Sequence, residues 1–163
     1  MRNIVGLLVV FPLLAYAVDE AQSYPFQQYK VPSLFHGKPA APRLETPFAK
    51  NYKTMIKRGV ASGPNFAGHY TVVFWGCGTE CAAYAIVDDQ TGKVYEVPEL
   101  SRGVDLGFNG PLFRVDSSLM VLANCPDPHV YGVKNCKRKY YRWDGSRLKL
   151  LKSEPVQWDA GQK

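Results

Sequence analysis

The segment from Asn65 to Cys81 carries most of the reactive side-chain types in this chain. It reads Asn-Phe-Ala-Gly-His-Tyr-Thr-Val-Val-Phe-Trp-Gly-Cys-Gly-Thr-Glu-Cys and so holds one histidine and two of the four cysteines. A thiolate beside an imidazole can act as a nucleophile, and a pair of thiolates can exchange disulfides or bind copper or zinc. The segment therefore either lines a functional site or is a structural element stabilised by a disulfide.

Strand geometry argues against a catalytic dyad of His69 and Cys77. Residues 69–75 alternate in a way that predicts a strand buried on both faces. One face would carry Tyr70, Val72 and Phe74, and the other Thr71, Val73 and Trp75. His69 would begin this strand and Cys77 would follow its end, which separates the two by more than ~20 Å at about 3.3 Å per residue. We therefore assign no catalytic residue.

The cysteines are even in number, which in an exported chain predicts two disulfides. They are Cys77, Cys81, Cys125 and Cys136. Three pairings are possible, and Cys77–Cys81 with Cys125–Cys136 is the most economical because each bond would close a local loop. Loop-closure entropy gives about 2 kcal/mol for the short loop and about 3 kcal/mol for the longer one.

Two glycines flank Cys77, and they have two interpretations. Backbone N–H groups in a turn containing Gly76 and Gly78 could bind an anion. The simpler interpretation, which we favour, is that glycine permits the tight loop that a five-residue disulfide ring requires.

The N-terminus predicts export. Arg2 is followed by an apolar run from Ile4 to Leu14 and by Ala15-Tyr16-Ala17, which is the pattern of a cleaved signal peptide. The apolar run is too short to span a bilayer. We expect cleavage near Ala17–Val18, a periplasmic or secreted protein and no stable membrane insertion. The formal net charge of +6 falls to +5 when Arg2 is lost, which favours anionic partners.

Three regions are predicted: a signal peptide at 1–17, a proline-rich extended arm at 18–45, and a single α+β domain at 46–163. Aromatic side chains of the arm are expected to dock on the domain. Thr46-Pro47 predicts a helix start, and an amphipathic stripe then runs to a stop at Gly59. The stripe consists of Phe48, Tyr52, Met55 and Ile56, and Lys50, Lys53 and Lys57 lie off it as a solvated face.

The remaining pattern predicts successive β-hairpins. Strands are expected over 69–75, 82–87, 93–97, 112–115, 119–123, 139–143 and 147–151, with a glycine-rich loop over 99–110. The turn at 88–92 ends in Gly92, where a positive φ is needed. The predicted fold class is α+β: one amphipathic helix packed on a mainly antiparallel sheet, stapled by disulfides.

The last hairpin is basic and aromatic. Lysines and arginines over 134–152 alternate with Tyr140, Tyr141 and Trp143. Such surfaces suit glycans or acidic proteins, and nucleic acid is not expected outside the cytoplasm. Ordinary amphipathic strands explain the same alternation.

Three motifs resemble a group of small, exported, largely uncharacterised bacterial proteins. They are Gly-Pro-Asn-Phe-Ala-Gly-His-Tyr at 63–70, Trp-Gly-Cys-Gly-Thr-x-Cys at 75–81 and Ile-Val-Asp-x-x-Thr-Gly-x-Val-Tyr at 86–95. The resemblance implies a bacterial periplasmic protein and transfers no catalytic residue.

The leading hypothesis is a non-enzymatic periplasmic binding protein, such as an inhibitor or immunity-type protein against a cell-wall-degrading enzyme. Its partner would be a protein with an acidic surface or a cell-wall glycan, with no cofactor and no metal. The predicted binding residues are His69, Trp75, Gly76, Gly78, Thr79, Glu80, Arg138, Tyr140 and Arg142. The alternative is a small enzyme or a metal or redox protein that uses His69, Cys77, Cys81 and Glu80.

Overall fold

The computed structural model describes residues 24–78, 81–101, 110–124 and 137–155. The predicted signal peptide, the loop residues Thr79 and Glu80, and the cysteines Cys125 and Cys136 lie outside the described residues. Within these ranges, no helix is both long and apolar enough to cross a membrane.

Antiparallel strands and a few short helices make up the described chain, as an α+β class predicts. A 3₁₀ helix spans Phe26–Tyr29, and the α-helices are α1 (Pro47–Asn51), α2 (Lys53–Val60) and α3 (Pro98–Ser101). The strands are β1 (Tyr70–Gly78), β2 (Cys81–Asp88), β3 (Val94–Glu96), β4 (Leu112–Phe113), β5 (Leu119–Asn124), β6 (Lys137–Trp143) and β7 (Leu148–Pro155).

The strands form two sheets where one was expected. The first has the order β1-β2-β3 and the second β4-β5-β6-β7, and all pairings are antiparallel. A shared core joins them. It includes Tyr70, Val72 and Ile86 from the first sheet and Met120, Tyr141 and Trp143 from the second. One face of β1 and β2 is thus buried by the second sheet, which explains why both strands are apolar on both faces.

The helices cover the other face of the first sheet. Thr46 caps α1 by accepting a hydrogen bond from the Ala49 N–H at 3.1 Å, as its sequence predicts. The chain then breaks at Tyr52, so the single predicted helix is two. Buried Ile56 and Val60 pack against the β1–β2 side chains of this face, whereas Met55 is 41% exposed and leaves the predicted stripe.

Gly59 does not end the helix as expected. Helix α2 continues to Val60, and a Cβ at Gly59 would overlap the Val73 side chain of β1. Glycine at this position therefore lets the helix approach the sheet closely.

The arm docks on the outer face of the second sheet. Phe26 is buried against Leu119, Val121 and Tyr140, and Tyr24 and Tyr29 pack beside it. The buried Ser117 hydroxyl lies 2.9 Å from the Phe26 carbonyl oxygen. Docking of the arm is confirmed for Tyr24, Phe26 and Tyr29, whereas Leu34, which was expected to dock with them, is 40% exposed.

One loop prediction is partly wrong. Residues 98–101 form α3, and Leu100 is buried in the core between the sheets. The first turn of the predicted loop is therefore helical because an apolar side chain anchors it; residues 102–109 lie outside the described residues.

Candidate functional site

The β1–β2 hairpin carries the motif residues and sets their separation. Its register runs from Tyr70 opposite Asp88 to Gly78 opposite Cys81, with an irregularity between Gly76 and Gly78. Cys77 is the extra residue at this bulge, and a bulge redirects a side chain from the regular alternation. Cys77 is disulfide-bonded. The sulfur it joins lies outside the side chains that the structure describes, so the pairing of the cysteines stays a prediction.

An exposed aromatic residue lies next to this bulge. Phe74 is 72% exposed and its ring centroid is 6.2 Å from that of Tyr84 across the hairpin. Gly76, Cys77 and Gly78 are also exposed. We call Phe74 and residues 76–78 the hairpin tip. A large apolar side chain on a paired strand is held in place at little entropic cost, which is typical of a contact residue in a protein interface.

Trp75, a predicted binding residue, faces the other way. It is 6% exposed, and its ring packs against Tyr52 at 4.8 Å and Phe48 at 6.1 Å between centroids. Its place is under the helices, where it anchors α1 and α2 to β1. It is not part of the hairpin tip.

His69 lies at the opposite end of β1. Cys77 lies eight positions further along the chain, which is about 26 Å along a strand. Its Nε2 is 4.0 Å from Asp88 Oδ1, too long for a hydrogen bond. The Asp88 carboxylate instead holds the turn, accepting from Gln90 N at 2.9 Å and from Thr91 Oγ1 at 2.7 Å. No general base is assembled here among the described residues.

Two tyrosines, Tyr70 beside His69 and Tyr95, have pKa values raised above the ordinary one. Burial raises the pKa of the Tyr70 phenol, and the Asp88 and Asp144 carboxylates act in the same direction. Burial also raises the pKa of Tyr95. The Tyr70, Tyr95 and Trp143 rings form an edge-to-face cluster with centroids 5.2 to 6.5 Å apart. This cluster joins the two sheets, because Tyr70 and Tyr95 belong to the first sheet and Trp143 to the second.

Asp89 was missed as a special residue. The sequence assigns it a turn, yet it is fully buried, and its Oδ2 lies 2.6 Å from Thr71 Oγ1. Burial raises its pKa above the ordinary value. The only sequence signal is its position directly after an apolar strand.

The predicted basic residues lie on the outer face of the second sheet, beside the arm. Arg138 lies over the Tyr24 ring at 5.2 Å and 3.9 Å from Glu154. Tyr140 is buried, and its hydroxyl donates to Glu154 at 2.7 Å. Lys152 and this hydroxyl hold the pKa of Glu154 low. Arg142 is exposed. This surface is partly occupied by intramolecular contacts.

The predicted binding residues that the structure describes therefore occupy four separate places, one of them the buried position of Trp75 under the helices. The hairpin tip and His69 lie at opposite ends of one strand, and Arg138, Tyr140 and Arg142 belong to the other sheet. Within the described ranges, no group of three or more His, Cys, Asp or Glu residues could hold a metal ion.

Comparison with known proteins gives no relative. No family model, no curated protein and no solved structure matches this chain.

Proposed function

We propose that this chain is an exported, non-enzymatic binding protein whose hairpin tip contacts a protein partner. The observation that carries the proposal is the 72% exposure of Phe74 beside the exposed, disulfide-bonded bulge at Cys77. Aromatic side chains on rigid elements contribute most of the binding energy in many interfaces. A formal charge of +6 favours an acidic partner surface.

We propose the two disulfides that close the shortest loops, Cys77–Cys81 and Cys125–Cys136. The register supports them. Cys81 pairs with Gly78, one residue from Cys77. The last pair of β5 and β6 is Asn124 with Lys137. Cys125 directly follows Asn124 in the sequence, and Cys136 directly precedes Lys137. Directly opposed residues of an antiparallel ladder have Cα atoms about 4.5 to 5.5 Å apart, a distance that a disulfide spans.

The alternative function, a thiol- or metal-dependent enzyme, gains no support from the geometry. His69 and Cys77 lie at opposite ends of β1, and a disulfide removes the Cys77 thiolate that such chemistry needs. An inhibitor or immunity-type role against a cell-wall-degrading enzyme is therefore the form of the proposal that we would test first.

The test compares two single-residue variants of the mature protein. Phe74→Ala removes the exposed ring, and Met55→Ala removes a large apolar side chain on α2 that is 41% exposed. Both are added to a panel of peptidoglycan-degrading enzymes, and lysis of cell-wall suspensions and direct binding are measured. We expect the parent and Met55→Ala to inhibit one enzyme, and Phe74→Ala to bind it at least ~30-fold more weakly, as hot-spot residues do.

Two outcomes would contradict the proposal. Inhibition that Phe74→Ala leaves intact would move the contact away from the hairpin tip. The absence of binding to any member of the panel, with both variants folded by circular dichroism, would exclude the inhibitor role.

A further inference from the structure

Asp89 carries a fully buried carboxyl group at the junction of three segments. Its N–H donates to the His69 carbonyl at 2.8 Å, and its carbonyl accepts from the Ala40 N–H at 2.8 Å. The residue thus joins the end of β2 to the start of β1 and to the arm. Neither backbone bond needs a carboxyl side chain, so the acid has to be explained by its own contacts.

Counting hydrogens at Thr71 indicates the charge state of this acid. The Thr71 hydroxyl oxygen lies 2.8 Å from the Gly63 carbonyl oxygen and 2.6 Å from Asp89 Oδ2. A hydroxyl has one hydrogen and a carbonyl can only accept. If Thr71 donates to Gly63, the hydrogen in the second contact must come from Asp89. Both short contacts are therefore hydrogen bonds only when Asp89 is a neutral carboxylic acid.

The second carboxyl oxygen supports the same state. Asp89 Oδ1 is buried and accepts no hydrogen bond from the described residues. A neutral carbonyl oxygen without a donor costs a few kcal/mol, whereas a buried carboxylate without a compensating cation costs much more. Burial has the largest effect on Asp89 and raises its pKa. The Thr71 hydrogen bond opposes it, and of the titratable side chains that face Asp89, Asp88 raises its pKa and His69 lowers it.

We propose that Asp89 is a protonated latch, which closes the junction of β1, β2 and the arm while it is neutral and loosens it when it ionises. The affected arm bonds are those from Ala40 N–H to the Asp89 carbonyl and from Arg43 N–H to the Gly92 carbonyl at 2.7 Å. Ionisation forces the carboxylate toward water, and the turn that holds both acceptors moves with it.

The direction of the pH dependence follows from proton binding. The folded chain binds the Asp89 proton more tightly than the unfolded chain does, whose ordinary pKa is 3.8. The contribution of the latch is complete below that value and is lost as the pH rises through the folded pKa. Acid therefore strengthens this junction.

The decisive variant is Asp89→Asn, because its amide reproduces the neutral acid. Its Nδ2 can donate to Thr71, which then donates to Gly63. We expect Asp89→Asn to unfold at a temperature on the order of 5 °C higher than the parent at pH 8 and within error of it at pH 3.5. Asp116→Asn, which removes the same charge from an Arg114 ion pair, is the control and should show no such convergence.

The protonation of Asp89 can also be measured directly, which tests the proposal even if the stability of Asp89→Asn changes for another reason. The ¹³Cγ shift of Asp89 should titrate at a higher pH than those of the exposed aspartates, and amide exchange at Ala40 and Arg43 should accelerate with pH beyond the intrinsic rate. That excess should vanish in Asp89→Asn. Titration of Asp89 near 3.8 together with the exposed aspartates would overturn the latch.

Discussion

Asn65 supplies the edge of β1 with the hydrogen bonds of a neighbouring strand. Its Nδ2 donates to the Val72 carbonyl at 3.1 Å, and its Oδ1 accepts from the Val72 N–H at 2.7 Å. Strand β1 lies at the edge of its sheet, where unpaired backbone groups invite association with other chains. One amide side chain therefore satisfies both the backbone donor and the backbone acceptor of Val72 at this edge.

Replacing that amide by a carboxylate tests the pairing. Asn65→Asp keeps the shape but sets an acceptor oxygen against the Val72 carbonyl, so one bond becomes a repulsion. We expect a loss of about 1 to 3 kcal/mol in the free energy of unfolding by urea titration. Asn51→Asp, at an exposed position in α1, is the control and should change stability by less than ~0.5 kcal/mol. Equal losses in the two variants would refute the assignment.

At the scale of the elements, Gly92 fastens the arm to the β2–β3 turn. It has a φ of 74°, which favours glycine. A Cβ there would also overlap the Ala41 carbonyl oxygen of the arm. Gly63 has a similar φ of 79° with nothing within 4 Å of a Cβ. Both glycines adopt a positive φ, but only at Gly92 would a Cβ overlap a neighbouring backbone atom.

Alanine at each position separates these two effects. Gly63→Ala should cost about 1 kcal/mol, the penalty for a left-handed residue with a side chain. Gly92→Ala should cost at least ~1 kcal/mol more, because the rigid arm backbone has to move. Chemical denaturation gives the energies, and limited proteolysis within 40–45 should accelerate in Gly92→Ala alone. Equal costs and equal proteolysis would show that the arm is not held at this turn.

The whole molecule is tied together by side chains shared between layers. The core between the sheets contains Trp143, whereas Trp75 lies between the first sheet and the helices. Both clusters use β1 and β2, so the unfolding of one layer exposes apolar surface of the other. Such sharing favours one cooperative transition.

Tryptophan fluorescence can test this cooperativity layer by layer. The third tryptophan, Trp158, lies outside the described residues and is replaced by phenylalanine in the test protein. In that background, Trp75→Phe leaves Trp143 as the probe of the sheet interface, and Trp143→Phe leaves Trp75 as the probe of the helix layer. We expect each fluorescence midpoint to coincide with that of circular dichroism for the same variant. Separate midpoints would mean that the layers unfold independently.

Several features of the local structure follow from the sequence alone. Alternation of apolar residues placed Tyr70 and Val72 on one face and Val73 and Trp75 on the other, and the clusters agree with this division. Thr46 predicted the start of α1, and Gly92 predicted a positive φ. These features depend on neighbours a few residues away, so the local sequence is enough to specify them.

Which face of each strand is buried, and by which segment, depends on the tertiary structure. Alternation places Phe74 with Tyr70 and Val72, but its 72% exposure depends on how far the covering layer extends. Likewise, the sequence predicts a turn residue at Asp89, and only the tertiary structure shows that its carboxyl group is buried against the Thr71 hydroxyl. Burial and charge state arise from segments distant in sequence, and the division into two sheets does as well.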